Sequence, residues 1–144
     1  MPVYLDTSAL LKRYLPERNS DVFESYFRDV ESAQISRLTL VELRSALARK
    51  RREGRFDTAK EAEALNEIST DIQDGLLTVC AASDLHFVAA FHLIGKLNEL
   101  PLRTLDALHL ATAQTLETDT LATADDVMRR AAEALGITVV YFGD

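Results

Sequence analysis

With 144 residues, 47% of them hydrophobic, the chain is long enough to bury a core and too apolar to be disordered. Its one cysteine, Cys80, excludes an internal disulfide and fits a reducing compartment. The net charge of −7 argues against a broad phosphate-binding surface, but it does not decide the matter, because Arg37 to Arg55 holds seven basic residues against two acids, Glu42 and Glu53.

The opening MPVYLDTSALL has neither the basic start nor the long apolar run of a secretory signal. No stretch approaches the roughly 18 apolar residues of a membrane span, so a soluble, cytoplasmic protein is expected. Pro2 to Leu5 reads as a strand that stops at Asp6, and Thr7 to Leu15 as a helix closed by Pro16. Asn19–Ser20 can cap a second helix, whose Val22, Phe23, Phe27 and Val30 recur at helical spacing. Gln34 to Ser36 reads as a second strand. A helix follows from about Thr39 to Gly54, with Leu40, Leu43 and Leu47 on one face. Asp57 can cap the next helix, which ends at Gly75. Leu76 to Cys80 is a third strand, and Ser83 caps a helix to about Glu99. Leu105 to Leu116 is apolar nearly all round and should be a buried helix. Thr120 to Thr123 is a fourth strand, followed by a helix to Gly136 and a fifth strand, Thr138 to Phe142.

Strands alternating with helices predict a parallel sheet covered on both faces, a three-layer α/β/α sandwich. Without repeats or linkers, one domain spanning 1–144 is expected. Such sheets work beyond the carboxyl ends of their strands, where strand order reverses. That singles out Asp6, at the end of the first strand, and Asp125, just after the fourth. Two helical acids join them: Glu42, expected in the first turn of its helix, and Asp106, which opens the buried one. Neither has a Lys or Arg three or four residues on, so the usual local ion pair is missing.

Each acid alone has a plain structural reading, as a helix cap or a first-turn acid favoured by the dipole. Together they weigh differently. Leu105, Ala107 and Leu108 demand burial around Asp106, and an unpaired buried carboxylate costs several kcal/mol. Four converging carboxylates would need a cation, and oxygen-only ligands suit Mg²⁺ or Mn²⁺. An ion held this way activates water and steadies charge in phosphodiester hydrolysis.

The segment VYLDTSALLKRYLPE at 3–17 resembles the opening of PIN domains, where an apolar strand delivers an Asp and a helix follows. SRLTLVELRSAL at 36–47 is similar to the family's second motif, with Glu42 as its acid. LRTLDALHLATA at 102–113 resembles the third, with Asp106, and LATADDVMRRAAEALGITVV at 121–140 the fourth, with Thr123 and Asp125. The motifs stand in family order along the whole chain, in the style of the VapC toxins. The resemblance implies a five-stranded parallel sheet and Mg²⁺ or Mn²⁺ held by Asp6, Glu42, Asp106 and Asp125. It implies endonucleolytic cleavage of RNA leaving a 5′-phosphate, in the toxin of a toxin–antitoxin pair. It further implies a homodimer and a small antitoxin partner that blocks the site and represses the shared operon. Asp126 could share the role of Asp125, although the Thr-x-Asp spacing favours Asp125.

Thr7 and Ser8 could orient Asp6 or a metal-bound water, or simply start a helix. Thr123 divides the same way, between a site hydroxyl and a strand-ending residue. His109, one turn after Asp106, reads as a satisfied helix-face histidine rather than a proton carrier. His86 and His92 lie six apart, the wrong spacing for a helical metal pair. Cys80 reads as inert core. The run Arg49-Lys50-Arg51-Arg52 is a solvated helix end or a guide for RNA phosphates. Three alternatives stand beside the nuclease reading. A non-catalytic PIN-like RNA- or protein-binding module would not need to keep a repulsive cluster. A haloacid-dehalogenase-like phosphatase wants a second Asp where Ser8 stands. A metal-free ribonuclease wants paired histidines.

Overall fold

The computed structural model describes residues 2–144; the expected domain start at residue 1 lies outside them. Its strands are β1 (Val3–Leu5), β2 (Ala33–Ser36), β3 (Leu77–Cys80), β4 (Thr120–Thr123) and β5 (Thr138–Tyr141). The helices are α1 (Thr7–Tyr14), α2 (Ser20–Arg28), α3 (Arg37–Arg52), α4 (Thr58–Gln73), α5 (Asp84–Lys96), α6 (Thr104–Thr115) and α7 (Asp126–Ala134). The strands form one parallel sheet in the order β3-β2-β1-β4-β5. Order therefore reverses at β1, which has β2 on one side and β4 on the other.

Alternation along β1 splits the core in two. Val3 and Leu5 face a cluster built with α1 to α4, including Leu10, Phe23, Leu43 and Leu47. Tyr4 faces the other, built with α5 to α7, including Leu93, Leu110 and Met128. This is the expected three-layer sandwich, and α6 is the expected buried helix, with every residue from Asp106 to Ala113 buried. Gly75 and Gly136 end α4 and α7 at φ of +80° and +79°, a region where a side chain is strained.

Two helix starts differ from the sequence reading. α3 begins at Arg37, two residues before Thr39, because the Ser36 hydroxyl accepts from the Leu38 N–H at 3.0 Å and the Thr39 hydroxyl accepts from the Ser36 N–H at 3.1 Å. Glu42 therefore lies in the second turn, where the dipole no longer favours it. Asn19 does not cap α2 with its side chain. Its backbone is left-handed, at φ 67°, and its amide donates to the Phe142 carbonyl at 2.9 Å, tying α2 to the end of the chain.

A partly buried ion network fixes α1, the helix that follows Asp6. Arg13 on α1 meets Asp71 on α4 with two hydrogen bonds, of 2.7 and 3.0 Å, and reaches Glu24 on α2 at 3.1 Å. The Tyr14 hydroxyl donates to Asp71 at 2.6 Å, and the Arg13 guanidinium lies 4.6 Å from the centre of the Phe27 ring. Hydrogen bonding to Asp71 raises the Arg13 pKa further, and burial, with the separate hydrogen bond from Tyr14 to Asp71, raises that of Tyr14. Asp71→Ala leaves the guanidinium half-buried with one weaker partner. It should lower unfolding stability by about 3 kcal/mol in urea titration, and a loss under about 1 kcal/mol would contradict this role.

Candidate active site

The sheet's carboxyl end gathers the acids singled out by sequence, each from a different segment. Asp6 follows β1 and is 5% exposed. Its Oδ2 accepts from the Ser8 hydroxyl and from the Thr123 hydroxyl, both at 2.8 Å. Its Oδ1 faces His109 Nε2 at 3.9 Å. The two hydroxyls come from the start of α1 and the end of β4, so the β1–β4 pairing itself holds the carboxylate in place. Ser8 Oγ also accepts from the Ala124 N–H, and Thr123 Oγ1 from the Asp125 N–H. Thr7 points elsewhere: its hydroxyl donates to Glu42 Oε1 at 2.7 Å.

Glu42 reaches inward from α3 and meets His109 Nε2 through Oε1. His109, 1% exposed, contacts the Tyr4 hydroxyl through Nδ1 at 2.6 Å. The histidine is thus satisfied, as expected, by the Tyr4 hydroxyl on one nitrogen and by Glu42 of the acidic cluster on the other. Burial works against its charge, yet the Glu42 bond and the nearby Asp6 outweigh burial and raise its pKa. Burial pushes the Glu42 carboxyl up, but the His109 bond and charge, with Thr7, hold it below the ordinary range. Burial raises the Tyr4 hydroxyl.

Asp106, 8% exposed, and Asp125 share one cation, Arg103. Arg103 Nε donates to Asp106 Oδ2 at 3.3 Å and Nη2 to Asp125 Oδ2 at 3.5 Å. Burial raises the Asp106 pKa; Arg103 opposes that, while the charges of Asp125 and Asp6 add to it. Asp125 also caps α7, its Oδ1 accepting from the Met128 N–H at 2.9 Å. Asp126 turns away: it is exposed and paired with Arg129 and Arg130.

The sequence reading overlooked Arg103, because it searched for partners only after each acid; this one stands three residues before Asp106. It also expected Leu105 to enclose Asp106, whereas Leu105 is 42% exposed on the lip of a cleft. Among the described residues no three His, Cys, Asp or Glu side chains form a ready-made metal cage. The acids are brought to one place but are compensated by Arg103, His109 and hydroxyls. The donor set still fits a hard divalent ion, since it is all carboxylate and hydroxyl oxygen, and burial, with the charges of Asp125 and Asp6, raises the pKa of one member, Asp106.

A cleft of about 710 Å³ runs from this cluster between α1 and α3. Thr7, Ser8, Glu42 and Arg103 line one end and Lys12, Arg49 and Lys50 the other. At the far end Glu17 stands 3.9 Å from the Lys12 ammonium and 3.4 Å from that of Lys50. Arg49 is exposed and forms no ion pair among the described residues. Arg51, in contrast, is paired with Glu61 on α4 at 2.9 Å. The remaining candidates lie away from the cleft. His86 Nδ1 accepts from the Ser83 N–H at the start of α5, and Cys80 is half-buried rather than sealed in the core.

The PIN domain family model matches residues 3–134. Ribonuclease VapC46 of Mycobacterium tuberculosis is 34% identical over 140 residues, covering 96% of this chain and 95% of that protein. Ribonuclease VapC35 of the same species is 32% identical over 147 residues, covering 98% and 97%. Among solved structures, Mycobacterium tuberculosis VapC20, described as a sarcin-ricin loop cleaving toxin, superposes with a TM-score of 0.73 at 14% identity over 94% of this chain and 96% of that one. VapBC2 from Rickettsia felis, bound to a DNA fragment from its promoter, gives 0.69 at 16% identity, with 99% of each chain covered. The family model over residues 3–134 and the relatives at 34% and 32% identity show that the chain belongs to the PIN domain family.

Proposed function

We propose that the chain is a divalent-metal-dependent endoribonuclease, the toxin of a toxin–antitoxin pair, acting as one unit over its whole length in the cytoplasm. One observation carries this reading: Asp6, Glu42, Asp106 and Asp125 come from four separate segments to the carboxyl end of the sheet, beside a cleft whose far end is basic. The ribonuclease names of its relatives support the activity. The toxin–antitoxin complexes among its structural neighbours support a small antitoxin as partner. Among the described residues no helix is long and apolar enough to cross a membrane. A second copy and an antitoxin both need apolar surface, and α5 exposes Leu85, Phe87, Val88, Phe91 and Ile94, with Phe91 at 75%.

In this reading the four carboxylates hold Mg²⁺ or Mn²⁺, which suit oxygen-only ligands. Bound there, such an ion would supply water activation and charge neutralisation for phosphodiester hydrolysis, in which a water oxygen bonds to phosphorus as the P–O3′ bond breaks and the 3′ oxygen takes up a proton, leaving a 5′-phosphate and a 3′-hydroxyl. The chain's own residues set the geometry. Ser8 and Thr123 lock one oxygen of Asp6, leaving the other to face the cluster. Thr7 and His109 hold Glu42. Arg49 lies seven residues along α3 from Glu42, about 10 Å by helical rise and on nearly the same face. That spacing supports a role for its charge in binding a substrate phosphate next to the cut site. A non-catalytic module remains the competing reading, and it predicts RNA binding without metal-dependent cutting.

Asp6→Asn should fold like the parent and lose RNA cleavage by about a hundredfold or more in a gel assay on defined RNAs; near-parental rates in the folded variant would remove Asp6 from the site. EDTA should stop cleavage and excess Mn²⁺ or Mg²⁺ restore it; full activity in chelator would favour metal-free chemistry. Arg49→Gln should raise KM and flatten the salt dependence while changing kcat little. Arg44→Gln, also exposed but outside the cleft, should do neither.

His109 and Glu42 also predict a pH signature in the metal-free protein. The raised His109 pKa contributes stability that is complete below the ordinary histidine value of 6.5 and is lost as pH rises through the folded value. The lowered Glu42 pKa contributes stability that is present above the ordinary 4.5 and is lost as pH falls through the folded value. The stability gap between the parent and His109→Gln should therefore be widest near pH 5 to 6 and shrink toward alkaline pH. A gap that is flat with pH would show that the pair is not ionic.

A further inference from the structure

Among the described residues Arg103 is the one cation that reaches both Asp106 and Asp125, and it does so from the surface. Its side chain is 75% exposed, whereas those of Asp106 and Asp125 are 12% and 28% exposed. The contacts are long, 3.3 and 3.5 Å, each through a single nitrogen rather than the paired fork typical of a structural arginine–carboxylate bridge. The backbone at Arg103 starts α6, and its own N–H approaches Asp106 Oδ2 at 3.4 Å, so the main chain can keep Asp106 oriented when the side chain leaves. The same side chain lines the cleft together with Glu42 and Leu105. An arginine at a buried carboxylate pair usually serves stability, but one so exposed and loosely held gains little there.

We propose that Arg103 is a built-in competitor for the divalent ion: its guanidinium compensates Asp106 and Asp125 in the metal-free chain, and the ion displaces it into the cleft, where it binds an RNA phosphate. This rests on the metal-site reading above. A guanidinium stays charged at every working pH, so displacement moves a full positive charge from the carboxylates to the path of the substrate. The exchange links the two ligands. Metal frees the arginine that RNA needs, and RNA, by holding that arginine away, tightens the metal site by the same factor.

The test is Mn²⁺ titration by calorimetry on the full chain, comparing the parent, Arg103→Gln and Arg103→Lys, followed by cleavage kinetics at saturating Mn²⁺. Arg103→Gln should bind Mn²⁺ about two- to tenfold more tightly than the parent, the range expected for removing one or two exposed ion pairs. The same variant should cleave RNA with a higher KM once the metal site is full, and Arg103→Lys should recover part of that loss. In the parent, added salt should narrow the affinity gap by screening the competing pair. If the parent binds Mn²⁺ and Arg103→Gln binds it no better, the competition is overturned while the metal site stands. If Arg103→Gln binds more tightly but keeps the parental KM, the phosphate role is overturned. If the parent takes up no Mn²⁺ at all, the metal-site reading falls and this inference with it.

Discussion

Mutual repulsion among carboxylates is the constraint around which this end of the molecule is arranged. At about 4 Å, two such charges cost on the order of 4 kcal/mol even when the surroundings screen them to an effective dielectric near 20. The chain answers with three different devices. Hydroxyls from Ser8 and Thr123 steady Asp6, a buried histidine meets Glu42, and a surface arginine spans Asp106 and Asp125. These devices are unequal. Asp106 remains pushed above its ordinary pKa, first by burial and then by its acidic neighbours, so the compensation that Arg103 supplies is incomplete.

The fold makes this concentration of charge possible. In a parallel sheet every strand ends at the same edge, and the reversal of order at β1 opens a gap there between α1 and α3. α6 runs through the second core cluster and presents Asp106 and His109 from one side, one helical turn apart. α3 presents Glu42 from the other and carries Arg49 farther along the cleft. The ion network of Arg13, Asp71 and Tyr14 braces α1, so that Thr7 and Ser8 meet their partners. Stability and site geometry are thus coupled through one short helix.

Much of this was legible in the sequence, for physical reasons. Short runs of three to five residues, alternating with helical periodicity, pointed to the sheet and its two covers, and Asp6 and Asp125 stood at strand ends where such sheets carry their chemistry. The nearly all-round apolar character of α6 foretold its burial. What periodicity could not supply was the meeting of residues far apart in the chain. Tyr4 and His109 are separated by more than a hundred residues, and only the packing of α6 on β1 brings the histidine to Glu42. Arg103 could have been found, since it lies on the same helical turn as Asp106. The start of α3 was misplaced because Ser36 and Thr39 form a reciprocal cap whose first member also ends a strand.

The central claim is that these carboxylates together hold one divalent site. A crystal of the chain grown with Mn²⁺, with anomalous scattering recorded to place the metal, tests it most directly. The account predicts a manganese peak within bonding distance of Asp6 and of at least one of Asp106 and Asp125, with Arg103 swung off its carboxylates. Manganese absent from the sheet's carboxyl end, in crystals of protein that still cuts RNA, would contradict it.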